Sequence, residues 1–235
     1  MFQFKQFNIQ QDKCAMKVGT DGVLLGAWAP LHHNPYSILD IGAGTGLIAL
    51  MLAQRSNAEQ VDALEIDDDA YEQAVDNFES SPWSDRLFCY HAGLDEFMEE
   101  PEDEYDLIVS NPPFYTEDYT SGDEQRDTAR FSASLPFEDL AEAASLLLSD
   151  VGIFAIILPF KEEDTFLALA KENELYPVKI TRVKGTPTAE TKRTLMAFSR
   201  DENPNTVIDE LIIETSRHIY TKEYVALTQD FYLKM

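Results

Sequence analysis

Strand-like and helix-like segments alternate along residues 37–173 of this chain, and that alternation limits the possible folds more than any other feature. The pattern predicts a mostly parallel α/β sheet covered by helices on both faces, since each helix carries the chain back to start the next strand. Apolar runs predict the strands Ser37 to Ile41, Val61 to Ile66, Arg86 to His91, Tyr105 to Ser110 and Gly152 to Leu158. The predicted helices are Leu47 to Gln54, Asp69 to Phe78, Asp95 to Met98, Phe137 to Leu148 and Glu162 to Asn173.

The last quarter of the chain departs from this rhythm. Three strand-like segments follow one another with little helix between them: Pro177 to Lys184, Thr194 to Ser199 and Val207 to Ile213. They predict antiparallel strands that complete one edge of the sheet, and Thr221 to Tyr232 predicts a closing helix. The sequence contains no internal repeat or linker-like stretch, so we expect residues 1–235 to form a single domain.

The net charge of −25 sets a condition on any nucleic-acid function. Proteins that bind nucleic acids usually present a basic surface. The excess of acidic side chains in this chain instead favours a solvated acidic surface. A local basic patch stays compatible with it, because charges are screened beyond about 10 Å at moderate salt.

Cysteine usage and hydropathy indicate the compartment. Cys14 and Cys89 lack metal-type spacing and are typical of reduced, packed thiols. No apolar run approaches the length of a membrane span, and the start of the sequence shows no signal-peptide pattern. We therefore expect a cytoplasmic protein with no membrane or metal partner.

The segment Asn111-Pro112-Pro113-Phe114 directly follows the predicted strand Tyr105 to Ser110. Two consecutive prolines end a strand and stiffen the loop that follows. Such a loop presents an amide, backbone carbonyls and an aromatic ring, which suits a planar group that carries an amine. This chemistry is typical of methylation at an exocyclic or amide nitrogen, and adenine, guanine and glutamine all remain open as acceptors.

A second motif, Asp40 to Gly46, follows the first predicted strand and opens a helix. Glycines there permit a tight turn and let a ligand approach the backbone. Glu65 ends the next strand, where a carboxylate can accept hydrogen bonds from ribose hydroxyls. Two cofactors fit the layout, a nicotinamide dinucleotide and S-adenosylmethionine. The G-x-G-x-G spacing and the preceding acid favour S-adenosylmethionine, because Asp40 would repel phosphates but attract an ammonium group.

In this order, the two motifs and Glu65 resemble class I methyltransferases that carry the Asn-Pro-Pro-aromatic motif. Further segments make the chain similar to the bacterial adenine-N6 methyltransferases of tRNA1(Val), which modify the adenosine at position 37 of the anticodon loop. These segments are Phe4 to Phe7, Cys14 to Gly22, Leu24 to Ala29, Ser81 to Trp83, Gln125-Arg126 with Ala129-Arg130, Ala226 to Gln229 and Phe231 to Leu233.

The resemblance implies a Rossmann-like fold with a seven-stranded sheet, an N-terminal segment 1–35 that covers the cofactor site and a core formed by residues 36–235. It also implies S-adenosyl-L-methionine as cofactor, the tRNA anticodon loop as partner and a monomeric enzyme. The implied catalytic residues are Asn111, Pro112, Pro113 and Phe114. The implied cofactor residues are Asp40, Gly42, Ala43, Gly44, Gly46, Glu65, Ile66, Asp95, Thr20, Asp21 and Asn111.

Contacts to RNA are expected from scattered cations: Lys17, Arg126, Arg130 and Arg193. The competing interpretation is that the two arginines at 126 and 130 only pair with acids of their own polar stretch. A further basic concentration, residues 179–193, is a candidate rim for RNA. Rival functions are methylation of another RNA base or of a protein glutamine amide, and a protein that binds cofactor or RNA without turnover.

One position departs from the family pattern. An acidic residue commonly follows the third strand in the family and recognises the adenine of the methyl donor, but Gly93 stands there in this chain. Either Asp95, two residues later, replaces it, or backbone groups hold that amino group.

Overall fold

A mixed sheet of eight strands runs through the part of the chain that this computed structural model describes, residues 1–99, 104–113, 135–202 and 205–235. Two short strands precede the sheet, β1 (Phe2–Gln3) and β2 (Asn8–Ile9). The strands of the sheet are β3 (Ser37–Ile41), β4 (Gln60–Glu65), β5 (Leu87–His91), β6 (Tyr105–Ser110), β7 (Leu148–Pro159), β8 (Tyr176–Lys184), β9 (Thr191–Ser199) and β10 (Val207–Ile212). A small hairpin follows, β11 (Glu214–Ser216) and β12 (Ile219–Tyr220).

The strand order is β5-β4-β3-β6-β7-β9-β8-β10. Every neighbouring pair is parallel except the two pairs that β9 forms with β7 and β8. The predicted fold class, a mostly parallel sheet with an antiparallel element near one edge, is confirmed. The sheet has eight strands where seven were expected, because β10 pairs in parallel with the outer side of β8, from Val207 beside Lys179 to Ile212 beside Lys184.

Helices cover both faces of the sheet. They are α1 (Thr20–Trp28), α2 (Leu47–Arg55), α3 (Asp68–Glu79), α4 (Leu94–Phe97), α5 (Phe137–Leu147), α6 (Glu163–Glu172) and α7 (Lys222–Thr228). Successive side chains of a strand point to opposite faces, and β6 shows this: Leu107 and Val109 lie in the core cluster that includes α1 and α2, whereas Ile108 lies in the cluster that includes α5 and α6. In the described part of the chain, no helix is long and apolar enough to cross a membrane.

The two chain termini pack against each other. Phe4 and Tyr232 form an antiparallel bridge, and the Lys5 N–H donates to the Phe231 carbonyl at 2.8 Å. The Phe4 ring stacks on that of Phe7 at 4.7 Å between centroids. The N-terminal segment is thereby anchored before it passes over the carboxyl ends of the parallel strands.

Candidate active site

The chain reverses its direction of travel through the sheet between β3 and β6. From β3 the sheet extends on one side through β4 and β5, and on the other through β6 and β7. In open α/β sheets, ligands bind outside the carboxyl ends of the strands at this point. Ile41 and Ser110 are register partners there, and the Ser110 hydroxyl donates to the Ile41 carbonyl at 2.9 Å. This bond aligns the two strand ends that carry the predicted motifs.

The turn after β3 depends on its glycines. Gly42, Gly44 and Gly46 have φ values of +77°, +55° and +76°, which residues with a side chain rarely adopt. The N–H groups of Gly42 and Ala43 both donate to the Leu64 carbonyl, at 3.0 and 2.9 Å, so the turn is held against the end of β4. Gly46 is also the residue from which α2 starts.

The three glycines differ in what surrounds them. A Cβ added at Gly42 or Gly44 would meet no atom within 4 Å, whereas one at Gly46 would lie 2.5 Å from the Phe78 ring. Gly46 is therefore required for packing. The first two glycines face open space, as the cradle of a ligand would.

Asp40 is a fully buried carboxylate just before this turn. Its Oδ2 accepts a hydrogen bond from the Ala49 N–H of α2 at 3.1 Å, but its Oδ1 has no partner among the described residues. Burial raises the pKa of Asp40 to about 7, and the nearby charge of Glu65 adds to the shift, while the bond from Ala49 opposes it. A buried acceptor without a partner indicates a missing donor.

Glu65, at the end of β4, is held in place by two backbone groups. Its Oε2 accepts from the Gly44 N–H at 2.7 Å and its Oε1 from the Asp67 N–H at 2.9 Å. Asp67 in turn caps α3 by accepting from the Ala70 N–H. Each carboxylate oxygen keeps a second lone pair, so Glu65 is oriented and can still accept hydrogen bonds.

Ile66, Gly93 and Asp95 lie together beside Glu65. The Ile66 side chain is 52% exposed although it is apolar. A Cβ built on Gly93 would lie 2.5 Å from the Asp95 Oδ1 and 3.3 Å from the Ile66 Cδ1. The carboxylate of Asp95 therefore fills the space that a side chain at position 93 would occupy, next to an exposed apolar surface.

The loop after β6 presents Asn111, with Pro112 buried and Pro113 half-buried. An Asx turn would use the N–H two residues after Asn111, but Pro113 has none. The carboxamide oxygen is therefore not taken up by that local bond. Phe114, the fourth residue of the motif, lies outside the described residues.

The start of α1 lies beside this loop. A Cβ on Gly22 would meet the Leu47 side chain at 3.2 Å and the Asn111 Nδ2 at 4.0 Å, so glycine allows α1 to approach the motif closely. Asp21 accepts a hydrogen bond from the Arg193 Nε at 2.8 Å, which joins two predicted site residues in one ion pair. Thr20 is exposed at the first turn of α1.

The structure describes two of the four predicted RNA contacts. Lys17 is exposed just before α1, and Arg193 is half-buried in β9. Arg126 and Arg130 lie outside the described residues. Most of the basic side chains between residues 179 and 193 form ion pairs with carboxylates. These pairs are Lys179–Asp209, Arg182–Glu163, Lys184–Glu210 and Arg193–Asp21.

Two residues that sequence reasoning missed, Gln73 and Asn77, hold the N-terminal segment over the site. The Gln73 Oε1 accepts from the N–H groups of residues 12 and 13, both at 3.1 Å. The Asn77 carboxamide bonds both backbone groups of Gln10 and donates to the Thr45 carbonyl of the glycine turn at 2.9 Å. Their only signal in the sequence is polarity at positions i and i+4 on the otherwise apolar face of α3.

Taken together, the fold and this sheet edge define a class I methyltransferase. A methyltransferase small domain model matches residues 23–129. A solved structure of a predicted O-methyltransferase from Agrobacterium tumefaciens superposes with a TM-score of 0.69 at 20% identity, covering 90% of this chain and 96% of that one. A ribosomal protein L11 methylase from Lactobacillus delbrueckii superposes with a TM-score of 0.54 at 17% identity, over 77% of each chain. These two likenesses concern the fold.

The chain belongs to the family of tRNA1(Val) (adenine(37)-N6)-methyltransferases. A relative of that name from Flavobacterium johnsoniae is 74% identical over 235 residues, which is 100% of both chains. The relative from Christiangramia forsetii is 62% identical, over 100% of this chain and 98% of its own length. One from Bacteroides fragilis is 46% identical with the same coverage.

Proposed function

We propose that this chain transfers the methyl group of S-adenosyl-L-methionine to N6 of adenosine 37 in the anticodon loop of tRNA1(Val). Full-length relatives are named for that activity. The single observation that supports it on this chain is the position of Asn111, at the end of β6 and next to the end of β3. A loop that can accept hydrogen bonds from an amino group thus adjoins the glycine turn of a methyl-donor site.

The sheet edge fits this cofactor. The Oδ1 of Asp40, buried without a partner among the described residues, would accept a hydrogen bond from the ammonium group, directly or through water. The open space at Gly42 and Gly44 admits a ligand close to the backbone, with Ala43 between them and Gly46 as the turn's last residue. Glu65 would accept hydrogen bonds from the ribose hydroxyls with its remaining lone pairs.

The adenine of the cofactor would lie against Ile66. An exposed apolar side chain offers a surface to the flat base, and the adjacent carboxylate of Asp95 would accept a hydrogen bond from the adenine amino group. Asp21, in the first turn of α1, would cover the cofactor from the N-terminal side, whereas Thr20 precedes it on the side of the helix away from Asn111.

On the acceptor side, the N6 lone pair of adenine is delocalised into the ring and is a poor nucleophile. The Asn111 carboxamide oxygen and the Pro112 carbonyl would accept hydrogen bonds from the amino group, which favours a tetrahedral nitrogen with a free lone pair. Pro113 stiffens the loop and Phe114 would stack on the base. The bound cofactor supplies an electrophilic methyl group. After the transfer, the extra proton on N6 leaves to solvent, so orientation replaces a general base.

The RNA itself would be held by cations near this loop. Lys17, exposed just before α1, and Arg193, ion-paired with Asp21 of its first turn, are candidates, and Arg126 and Arg130 are candidates in the stretch that follows the motif. The base must leave its stack to reach the loop, and an anticodon loop makes this easier because its bases are unpaired.

The experiment that tests the function is labelled methyl transfer to total tRNA from cells that lack this activity, followed by nucleoside analysis. We expect label in N6-methyladenosine of tRNA1(Val). Label in protein would instead identify a glutamine-amide enzyme, which uses similar loop chemistry, and label in another base would overturn the assignment to adenine.

A further inference from the structure

A cavity of about 630 Å³ lies where the two chain termini meet the start of α1. Its size is in the range of sites that bind small organic groups. The residues that give it its character are Phe2, Thr20, Tyr220, Tyr224, Tyr232 and Lys234. Thr20, Tyr220 and Lys234 are exposed, so the cavity opens to solvent.

Aromatic rings dominate this lining. Tyr220 packs against Tyr224 with 5.2 Å between ring centroids, and Phe2 meets the edge of Tyr232 at 6.4 Å. Tyr224 is 3% exposed, whereas Tyr220 is 41% exposed and leaves ring surface uncovered. Exposed aromatic faces bind unpaired nucleobases by stacking, with little dependence on sequence.

The cavity and the Asn111 loop lie on opposite sides of the first turn of α1. Thr20 lines the cavity, while Gly22, two residues and about 200° further around the helix, faces Asn111. A helix with its side chains is about 10 Å across. A stacked strand advances roughly 3.4 Å per nucleotide, so the cavity is about three nucleotides from the acceptor loop.

The charge of the termini also suits RNA. Residues 1–19 contain three lysines and one aspartate, and residues 213–235 contain three basic and three acidic side chains. The rest of the chain therefore carries a formal charge of −27, more negative than the net charge of −25 of the whole chain. No carboxylate of the described residues forms an ion pair with Lys17 or Lys234. Glu214 is a carboxylate in the lining of the cavity, but the two terminal segments together carry a formal charge of +2, so they repel a polyanion less than the chain as a whole does.

We infer that this terminal cavity binds an unpaired base of the tRNA, within about three nucleotides of the methylated adenosine. Tyr220 provides the stacking surface, and Lys17 and Lys234 contact the phosphates on either side. The inference rests on the proposed function, because it assigns the second point at which that substrate is held.

Replacing Tyr220 tests the assignment, because its exposed ring can be removed without opening the core. Affinity for a tRNA1(Val) transcript would be measured by fluorescence anisotropy with saturating S-adenosylhomocysteine. We expect Tyr220→Ala to weaken binding about tenfold, as the loss of one stacked base does, and Tyr220→Phe to bind as the wild type does. The matched control is Tyr36→Ala, a tyrosine 60% exposed just before β3, at the opposite end of the sheet. It should leave the affinity unchanged.

A second measurement identifies the base. Anticodon stem-loops that each lack one base near the target adenosine are compared on the wild type and on Tyr220→Ala. For one of these RNAs, the wild type should bind about tenfold more weakly than it binds the intact RNA. Tyr220→Ala should bind that RNA and the intact RNA equally well. If Tyr220→Ala binds tRNA like the wild type, or if no base shows this coupling, the inference is wrong. The proposed function fails separately, when the wild type places no methyl group on adenosine.

Discussion

The two ends of the central sheet use their polar groups in opposite ways. At the amino-terminal end, Arg86 donates hydrogen bonds to the carbonyls of Ala53 and Ser56 at 2.7 and 3.2 Å and also to that of Ala58. One guanidinium thereby satisfies three carbonyls around the end of α2 and the start of β4. At this junction a charged side chain serves to close the structure.

At the carboxyl-terminal end of the sheet, polar groups lack partners and backbone is left uncovered by side chains, among the described residues. Asp40 has a buried oxygen without a partner among the described residues, Gly42 and Gly44 face empty space, and Ile66 is half-exposed. The same strands join the two ends, so the difference lies in the last residues of the strands and in the loops beside them. It teaches that substitutions at one end should change stability and those at the other should change ligand binding and rate.

The largest effect is expected at Asn111. Asn111→Ala removes an acceptor for the substrate amino group, and we expect kcat to fall by about 10²–10³-fold, as when a single transition-state contact is lost in other enzymes. Labelled methyl transfer to tRNA measures the rate. The variant should still bind the cofactor, and Tm should stay at the wild-type value.

The control for that variant is Asn57→Ala, an exposed asparagine before β4 at the amino-terminal end. It should retain full activity. If Asn111→Ala were fully active, the carboxamide would not take part in the methyl transfer. The functional difference between the two ends of the sheet would then be contradicted.

The converse is expected for Arg86. Arg86→Ala leaves three carbonyls without their charged donor, which should cost about 3 kcal/mol of stability and lower Tm by about 6–12 °C for a chain of this size. Lys171→Ala, an exposed substitution on α6, is the control and should shift Tm little. At a temperature where both variants are folded, kcat should equal the wild-type value; a large loss of kcat would show that the amino-terminal end also serves the reaction.

Strands whose ends are marked in the sequence could be predicted residue for residue. Ser37–Ile41 and Tyr105–Ser110 agree with the prediction, because glycine or proline stops each buried run. β7 begins at Leu148, four residues earlier than predicted, because Ser149 and Asp150 interrupt the apolar pattern while the strand still pairs with β6.

Features made by distant parts of the chain could not be predicted. The final helix ends at Thr228, earlier than predicted, because Phe231 and Tyr232 pair with the N-terminal segment instead of continuing the helix. In the candidate site, the positions of Asp40 and Asn111 could be foreseen, because apolar runs mark the ends of β3 and β6; their roles stay predictions. The role of Asn77 could not be foreseen, since its partner Gln10 is 67 residues away.

A smaller effect, dependent on pH, is expected for Asp40. Its pKa of about 7 in the folded protein lies above the ordinary value of 3.8. The folded state therefore holds this proton more tightly, and the group's contribution to stability falls as pH rises from about 4 to 7. Cofactor binding should show the opposite trend, because only the ionised carboxylate attracts the ammonium group.

Calorimetric titration with S-adenosylhomocysteine between pH 6 and 7.5 measures this trend. Wild-type affinity should rise through the window, whereas Asp40→Asn should bind about tenfold more weakly at pH 7.5 with a flat profile. The ligand-free variant should be at least as stable as the wild type at that pH, because a buried charge has been removed. The control Asp85→Asn, exposed at the amino-terminal end, should keep the wild-type pH profile of affinity. If Asp40→Asn also showed the wild-type profile, the pH dependence would arise from another group.

The smallest effect is expected at Asp95, where one hydrogen bond to the cofactor adenine is at stake. Asp95→Ala should weaken S-adenosylhomocysteine binding about fivefold, close to 1 kcal/mol, while Glu96→Ala on the same turn leaves it unchanged. Gly93 has a φ of −73° that any residue adopts, so Gly93→Asp combined with Asp95→Ala returns a carboxylate to the same space. That double variant should recover the affinity. An Asp95→Ala protein that binds as tightly as the wild type would instead assign adenine recognition to backbone groups.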